Sequence, residues 1–425
     1  MSIASTVQDP QGLHFLIAAK HVEALELHEL TSTVELVRAA SSLVHHLQLE
    51  RGLSNLRLTS DGPRVDAERQ DQLRRTDSAQ ASVNLHLQRL DPLFEAGTPT
   101  RQGSRLYARV AHALQAQSAI AALRSAVEAR ELPADRVIQA YSRIVSAWLS
   151  VVFEAADLAV DPDISRQLVS LFNLMQGKEH AGLERAAGSA LFAGGGLQPD
   201  DRMKLQDLVD AQKRCETVFD HFAAEAVQKA WVSARVQASW RERERLRRLL
   251  LTPSEHGVLS PAMSMIWFDT CTRCIDALKS IEDLTLSELQ RLCITKSQAL
   301  EREVIGLQQL SRAPVTPAQQ LTSAQALTML GGTTPHTMPT LPNQVGQYVA
   351  ALVQSQAHRL AAVTAELDAA RSALQERKLL ERAKAILMAQ ASIPEEEAYH
   401  AIRRMAMNQG RRVSEVAESL LRRTI

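Results

Sequence analysis

The chain has 425 residues, 45% apolar, 23% charged and only 4% aromatic, and its 48 basic and 48 acidic side chains cancel. That length accommodates two or three domains, and plentiful Ala, Leu, Gln, Glu and Arg favour helices over sheets. A neutral total excludes a globally basic nucleic-acid binder, so any such surface must be local.

The apolar stretch 13–19 has no basic residues before it, and no run of about 18 apolar residues occurs, so the sequence implies a cytoplasmic protein without a membrane partner. Residues 1–30 read as a helical lead-in. From 31 to 310 long amphipathic helices follow one another, with breakers at Gly62 and Pro63, 97–103, Pro133, Pro162, 194–196 and 253–261. Strand alternation is nowhere sustained, so the predicted fold class is all-α. One segment echoes another: Leu49-Glu50-Arg51, followed by small residues and Gly62, lines up with Leu183-Glu184-Arg185, followed by small residues and Gly196. The echo suggests two similar helical bundles in tandem.

Cys271 and Cys274 form a CxxC without a second ligand pair and without a flanking βαβ pattern. They lie in a helical pattern with Ile266, Phe268, Ile275 and Leu278, and are read as helix packing. Residues 311–344 carry five prolines and two glycines among Thr, Gln and Ser, the composition of an interdomain linker. In 345–375, Val349, Val353, Gln356, Leu360, Val363, Leu367, Ala370 and Leu374 recur at spacings of four and three. This is a coiled-coil seam and implies a homodimer; a single helix packed on a neighbouring domain is the alternative.

The end of the chain reads as three short helices. Residues 371–425 hold 11 Lys and Arg against 7 Asp and Glu, a local +4 that attracts phosphates. The segments Ala383-Lys384 to Leu387-Met388, Glu396-Glu397-Ala398-Tyr399, Ile402-Arg403-Arg404-Met405-Ala406-Met407-Asn408 and Glu415-Val416-Ala417 are similar in order and spacing to the ANTAR family. The resemblance covers 368–425. It implies a three-helix bundle that grips paired hairpins in leader mRNA and so lets RNA polymerase, indirectly, read through a terminator. It assigns RNA contact to Lys384, Arg403 and Arg404, with Ala406 and Met407 as packing or contact positions. Tyr399 suits either the bundle core or stacking on a base.

Leu47-Gln48-Leu49-Glu50-Arg51-Gly52, Gly177-Lys178-Glu179-His180 with Gly182-Leu183-Glu184-Arg185, and the segment from Trp267-Phe268 through Arg273 to Ile275-Asp276 resemble the NIT family, which senses nitrate and nitrite with two four-helix bundles. Cys274 departs from the pattern, where Arg is expected, and this weakens a ligand role for its helix. Arg51 shares a stripe with Leu36, Leu43, Leu47, Ser54 and Leu58. A guanidinium there needs a partner, either a glutamate of a facing helix or a bound anion. The resemblance implies the anion, nitrate or nitrite, whose planar shape matches the guanidinium fork. A second arginine is expected from Arg245, Arg185 or Arg241, in that order, and no cofactor is expected.

The combination resembles nitrate-responsive antiterminators of nitrate assimilation genes. A coiled-coil sensor or interaction protein that binds no RNA is the alternative. Enzyme activity is not expected, because no Walker loop, dinucleotide fingerprint, HExxH or GxSxG occurs, and His45 and His46 are adjacent and face apart.

Overall fold

A computed structural model describes residues 10–59, 63–90, 103–159, 161–194, 199–252, 260, 262–312, 379–380, 382–384, 386–388, 390, 395–409, 411 and 413–422. Every regular element among them is a helix, as composition and periodicity predict. In order these are α1 (Pro10–Thr59), α2 (Pro63–Leu90), α3 (Gly103–Gln117), α4 (Ile120–Glu128), α5 (Ala134–Leu158), α6 (Pro162–Gly194), α7 (Pro199–Phe222), α8 (Glu225–Arg235), α9 (Ala238–Leu251), α10 (Met263–Arg312), α11 (Glu395–Gln409) and α12 (Val413–Arg422). The linker beyond residue 312 and the seam 349–374 lie outside the described residues.

The glycines and prolines named as breakers fall at helix boundaries. Pro162 opens α6, where its fixed φ suits the first turn and its missing N–H costs nothing. Three further breaks among the described residues carry neither residue, at Ser118 and Ala119, at Ala224 and at Gln237. Ala224 and Gln237 are extended, with ψ of 151° and 155°. Packing makes these turns: Trp231 of α8 meets Trp240 of α9 edge to face at 5.3 Å and Phe219 of α7 at 5.4 Å. Aromatic burial there outweighs the helix preference of the connecting residues.

The first bundle joins α1, α2, the α3–α4 pair and α5. Val137, Tyr141, Val145, Trp148 and Val152 of α5 recur every three or four residues and are fully buried. Trp148 donates its indole N–H to Gln117 of α3, and Gln72 of α2 donates to the His46 carbonyl at 3.0 Å. The second bundle repeats the plan with α6, α7, the α8–α9 pair and α10. Its core includes Phe192, Leu205, Leu246, Leu250, Trp267 and Cys271. Cys271 and Cys274 are reduced and buried in α10, and burial pushes both thiols above their ordinary pKa.

The outer ends of α1, up to Val34, and of α10, from Leu289, belong to a separate unit, within which buried Lys20 pairs with Glu23 and Glu303. At the C-terminus α11, α12 and the helical residues among 379–390 bury Ala383, Ile402, Ala406, Val416 and Ala417 together, the expected small bundle.

Gly188 lets α6 approach α10. A Cβ there would lie 2.4 Å from Trp267 Nε1, which donates to the Arg185 carbonyl at 3.0 Å. Gly188→Ala is expected to cost about 1–3 kcal/mol, the range for overpacking a filled core. Chemical denaturation checks this, and an unchanged midpoint would contradict the packing argument.

Candidate functional site

The two Leu-Glu-Arg segments lie on α1 and α6, which run side by side. Contacts between them rise together along both helices, Gln48 with Glu179 and Gly52 with Arg185, so the helices are parallel. Each segment does the same two things. Its glutamate is clamped inside its own bundle: Glu50 accepts from Arg124 of α4 at 2.8 and 2.9 Å and from Tyr141 of α5 at 2.7 Å. Glu184 accepts from Arg247 of α9 at 2.6 and 2.7 Å and from Gln212 of α7 at 2.8 Å. Burial alone would raise the Glu184 pKa, but the Arg247 hydrogen bonds outweigh it and hold the carboxylate below its ordinary value.

The next residue on a helix faces about 100° away, so each arginine points toward the other bundle. Arg51 crosses to α6, where its Nη2 would lie 3.0 Å from a Cβ added at Gly182. Arg185 crosses to α1, with its Nη2 at the same distance from a Cβ at Gly52. The two glycines thus let both guanidiniums lie against backbone.

Their partners differ. Arg51 donates from both Nη atoms to the carboxylate of Glu179, one bond being 3.0 Å, and to Ser142 of α5 at 2.7 Å. Arg185 donates to Thr272 Oγ1 of α10 at 2.9 Å, its guanidinium carbon sits 4.6 Å over the Phe268 ring, and no carboxylate among the described residues pairs with it. Burial, with the neighbouring Arg51 charge adding to it, pushes Arg185 down to about 10. Among the described residues this buried cation is thus held by a hydroxyl and a ring, without a counter-charge of its own.

Five residues before the Leu-Glu-Arg turn of α6, a further buried pair ties the bundles. Lys178 donates to Glu282 of α10 at 2.5 Å, Ser41 of α1 also donates to Glu282, and Lys279 adds a contact at 3.1 Å. His45 lies beside this group. Burial and the Lys178 charge hold it neutral, with its pKa down at about 3.

Sequence reasoning named Arg51 and Arg185 but ranked Arg245 above Arg185. The structure places Arg245 on the solvent face of α9, 55% exposed and paired with Glu242, and Arg241 is exposed as well. The helical period turns Arg243 and Arg247 inward and leaves 241, 245 and 248 outside. Glu179, Thr272 and Phe268 escaped notice as site residues. Despite the Cys274 departure, α10 therefore does contribute to the Arg185 pocket.

The C-terminal candidates separate in the same way. Lys384 is 8% exposed, and Ala406 belongs to the core of the small bundle. Arg404 and Met407 face solvent, Met407 at 74% exposure. Tyr399 is outside the core cluster; its hydroxyl accepts from Arg214 of α7 and its ring lies 5.8 Å from that guanidinium. Arg403 pairs with Asp207 and, at 3.3 Å, with Asp210, both on α7. Two of the expected RNA contacts thus face the second bundle.

Comparison with known proteins matches these parts. Residues 42–290 match the nitrate and nitrite sensing family NIT, and 368–421 match the ANTAR domain. A nitrate regulatory protein of Klebsiella oxytoca is 32% identical over 419 residues, covering 97% of this chain and 95% of that protein. A solved structure of the NasR transcription antiterminator is similar with a TM-score of 0.59 and 29% identity, covering 97% of this chain and 98% of the other.

The Lys178 group makes stability depend on pH. Burial would raise Glu282, but Lys178 and Lys279 outweigh it and hold it at about 2 against an ordinary 4.5. Its contribution is complete above pH 4.5 and is lost as pH falls toward 2. Glu282→Gln, which leaves Lys178 buried without its counter-charge, is expected to cost about 3–5 kcal/mol at pH 7. The variant should also lose stability less steeply below pH 4.5 than the unmodified protein. Equal acid slopes in denaturant titrations would refute the assignment.

Proposed function

The chain belongs to the nitrate regulatory protein family, pairing a NIT sensor with an ANTAR output domain, and from that premise we propose that a small anion seated between Arg51 and Arg185 controls the ANTAR domain's access to RNA. The protein acts in nitrate-responsive transcription antitermination. The ligand is nitrate or nitrite, without a further cofactor. The RNA is a pair of leader-mRNA hairpins ahead of nitrate assimilation genes, and RNA polymerase responds indirectly. A homodimer through 349–374 presents two such domains to the two hairpins.

The observation that carries this reading is the meeting of two buried guanidiniums from matching segments with, among the described residues, one carboxylate paired to them. Their mutual repulsion and the burial of Arg185 are both relieved by an anion that offers oxygens to both forks. Nitrate does so in one plane.

The output side has a corresponding obstruction. RNA phosphates need Arg403, and the carboxylates of Asp207 and Asp210 hold it. An RNA-competent form must break these contacts. The anion favours that form only by binding it better than the docked one. A shift from about 1% to 99% competent needs roughly 5.5 kcal/mol of differential binding, which two sites in a dimer share.

Arg51→Ala and Arg185→Ala are each expected to abolish nitrate-dependent antitermination, whereas Arg245→Ala leaves it intact. Arg403→Ala weakens leader-RNA binding by about 1–3 kcal/mol, as loss of one specific contact does. Asp207→Asn combined with Asp210→Asn should raise RNA retention by the full-length protein without nitrate. Retention no higher than that of the unmodified protein would show that the sensor acts positively and not by releasing a held domain.

A further inference from the structure

We infer that Glu179 determines the anion specificity of the sensor: it is an internal counter-anion that fixes the charge of the site at one positive unit and competes with the ligand for the Arg51 fork. This inference rests on the reading that the ligand binds between Arg51 and Arg185.

The repeat supplies the first part of the argument. Arg51 and Arg185 occupy matching positions, and Glu179 stands six residues before Arg185 on α6. The matching position on α1, six before Arg51, is His45. The two halves are therefore unequal: one brings a carboxylate and the other a neutral imidazole. Two guanidiniums and one carboxylate leave one net positive charge, and it resides on Arg185, whose polar partner is the Thr272 hydroxyl. Asp276 of α10, whose charge also acts on Arg185, lies on an exposed face and makes no ion pair with it. Lys178 is committed to Glu282.

The charge count sets what fits. A monoanion such as nitrate or nitrite brings the buried site to neutrality. A dianion such as sulfate leaves one negative charge in excess where water is scarce, and an uncompensated buried charge costs several kcal/mol. Discrimination thus comes from a repulsive element placed against the wrong ligand. Without Glu179 the site carries two positive charges and suits the dianion.

Glu179 also resembles the ligand. Its O–C–O group is planar, and it takes a two-pronged hydrogen bond from Arg51 of the kind nitrate would take. It is fixed in that place by Gln48, which donates to Oε2 at 2.8 Å. An entering anion shares or displaces this carboxylate, so the affinity of the site includes the cost of moving it.

Isothermal titration of the full-length protein with sodium nitrate and with sodium sulfate tests the inference. The unmodified protein should bind nitrate and reject sulfate. Glu179→Gln keeps the shape and removes the charge; it should bind nitrate at least as tightly and improve sulfate affinity by about tenfold or more, equivalent to about 1.4 kcal/mol. Glu179→Ala, which opens space, should relax discrimination in the same direction, and Glu179→Asp should retain it. Glu179→Gln and Glu179→Ala variants that fold by circular dichroism yet still reject sulfate, or lose nitrate binding, overturn the inference, as does a folded Glu179→Asp variant that accepts it. So does sulfate binding by the unmodified protein at nitrate-like affinity, which needs no variant. Arg185→Ala separates the two levels: nitrate binding that survives it removes the site itself, whatever Glu179 does.

Discussion

A charge taken out of water must be met at a fixed place by another group, and α6 is built around that requirement. Within eight residues it carries four buried charged side chains, and each is committed to a different surrounding. Lys178 engages Glu282 of α10, Glu179 engages Arg51 of α1, Glu184 engages Arg247 of α9, and Arg185 lies under Phe268 and Thr272 of α10. Apolar contacts tolerate small sliding, but hydrogen-bonded charges in a close-packed interior have few alternative arrangements. The helix therefore has a defined register against both bundles, and a ligand that alters one of these pairs acts on the rest.

The same chemistry links the proposed anion site to the C-terminal bundle. Glu184, next to Arg185, is bound by Gln212 of α7. Two and five residues earlier on α7 stand Asp210 and Asp207, which hold Arg403, and Arg214 of the same helix holds Tyr399. A short series of polar contacts through α6 and α7 thus joins Arg185 to Arg403, the route that the proposed control would use. The docked contacts on Arg403 supply the element with two states that coupling requires, since they are either made or broken.

Much of this was legible in the residues. Glycine and proline marked most helix ends, because their backbone constraints act whatever surrounds them. The turns at Ala224 and Gln237 were not legible, since they depend on how Trp231 and Trp240 meet across a gap in sequence. The repeated Leu-Glu-Arg announced Arg51 and pointed to Arg185. Arg245, ranked higher, lies on the exposed face of α9; a run of alternating Arg and Glu does not reveal which face is inside, whereas a repeat carries that information from one helix to another. Glu179 was visible only as part of a motif. Its role depends on a crossing of helices far apart in sequence, and sequence spacing does not encode such a crossing. Lys384 is a related case: a lysine in a basic cluster reads as a surface group, yet this one is 8% exposed, which the long apolar stem of a lysine allows.

The contact of Arg403 with the α7 carboxylates has a consequence for the direction in which information flows. Linkage between two ligands is reciprocal: when one favours a conformation, the other gains affinity by the same factor in return. If the anion favours the form in which Arg403 is free, a hairpin that captures Arg403 must tighten the hold on the anion. The transcript then counts as an effector of the sensor as well as its target, and a protein already seated on a nascent leader responds at a lower nitrate concentration than one free in solution.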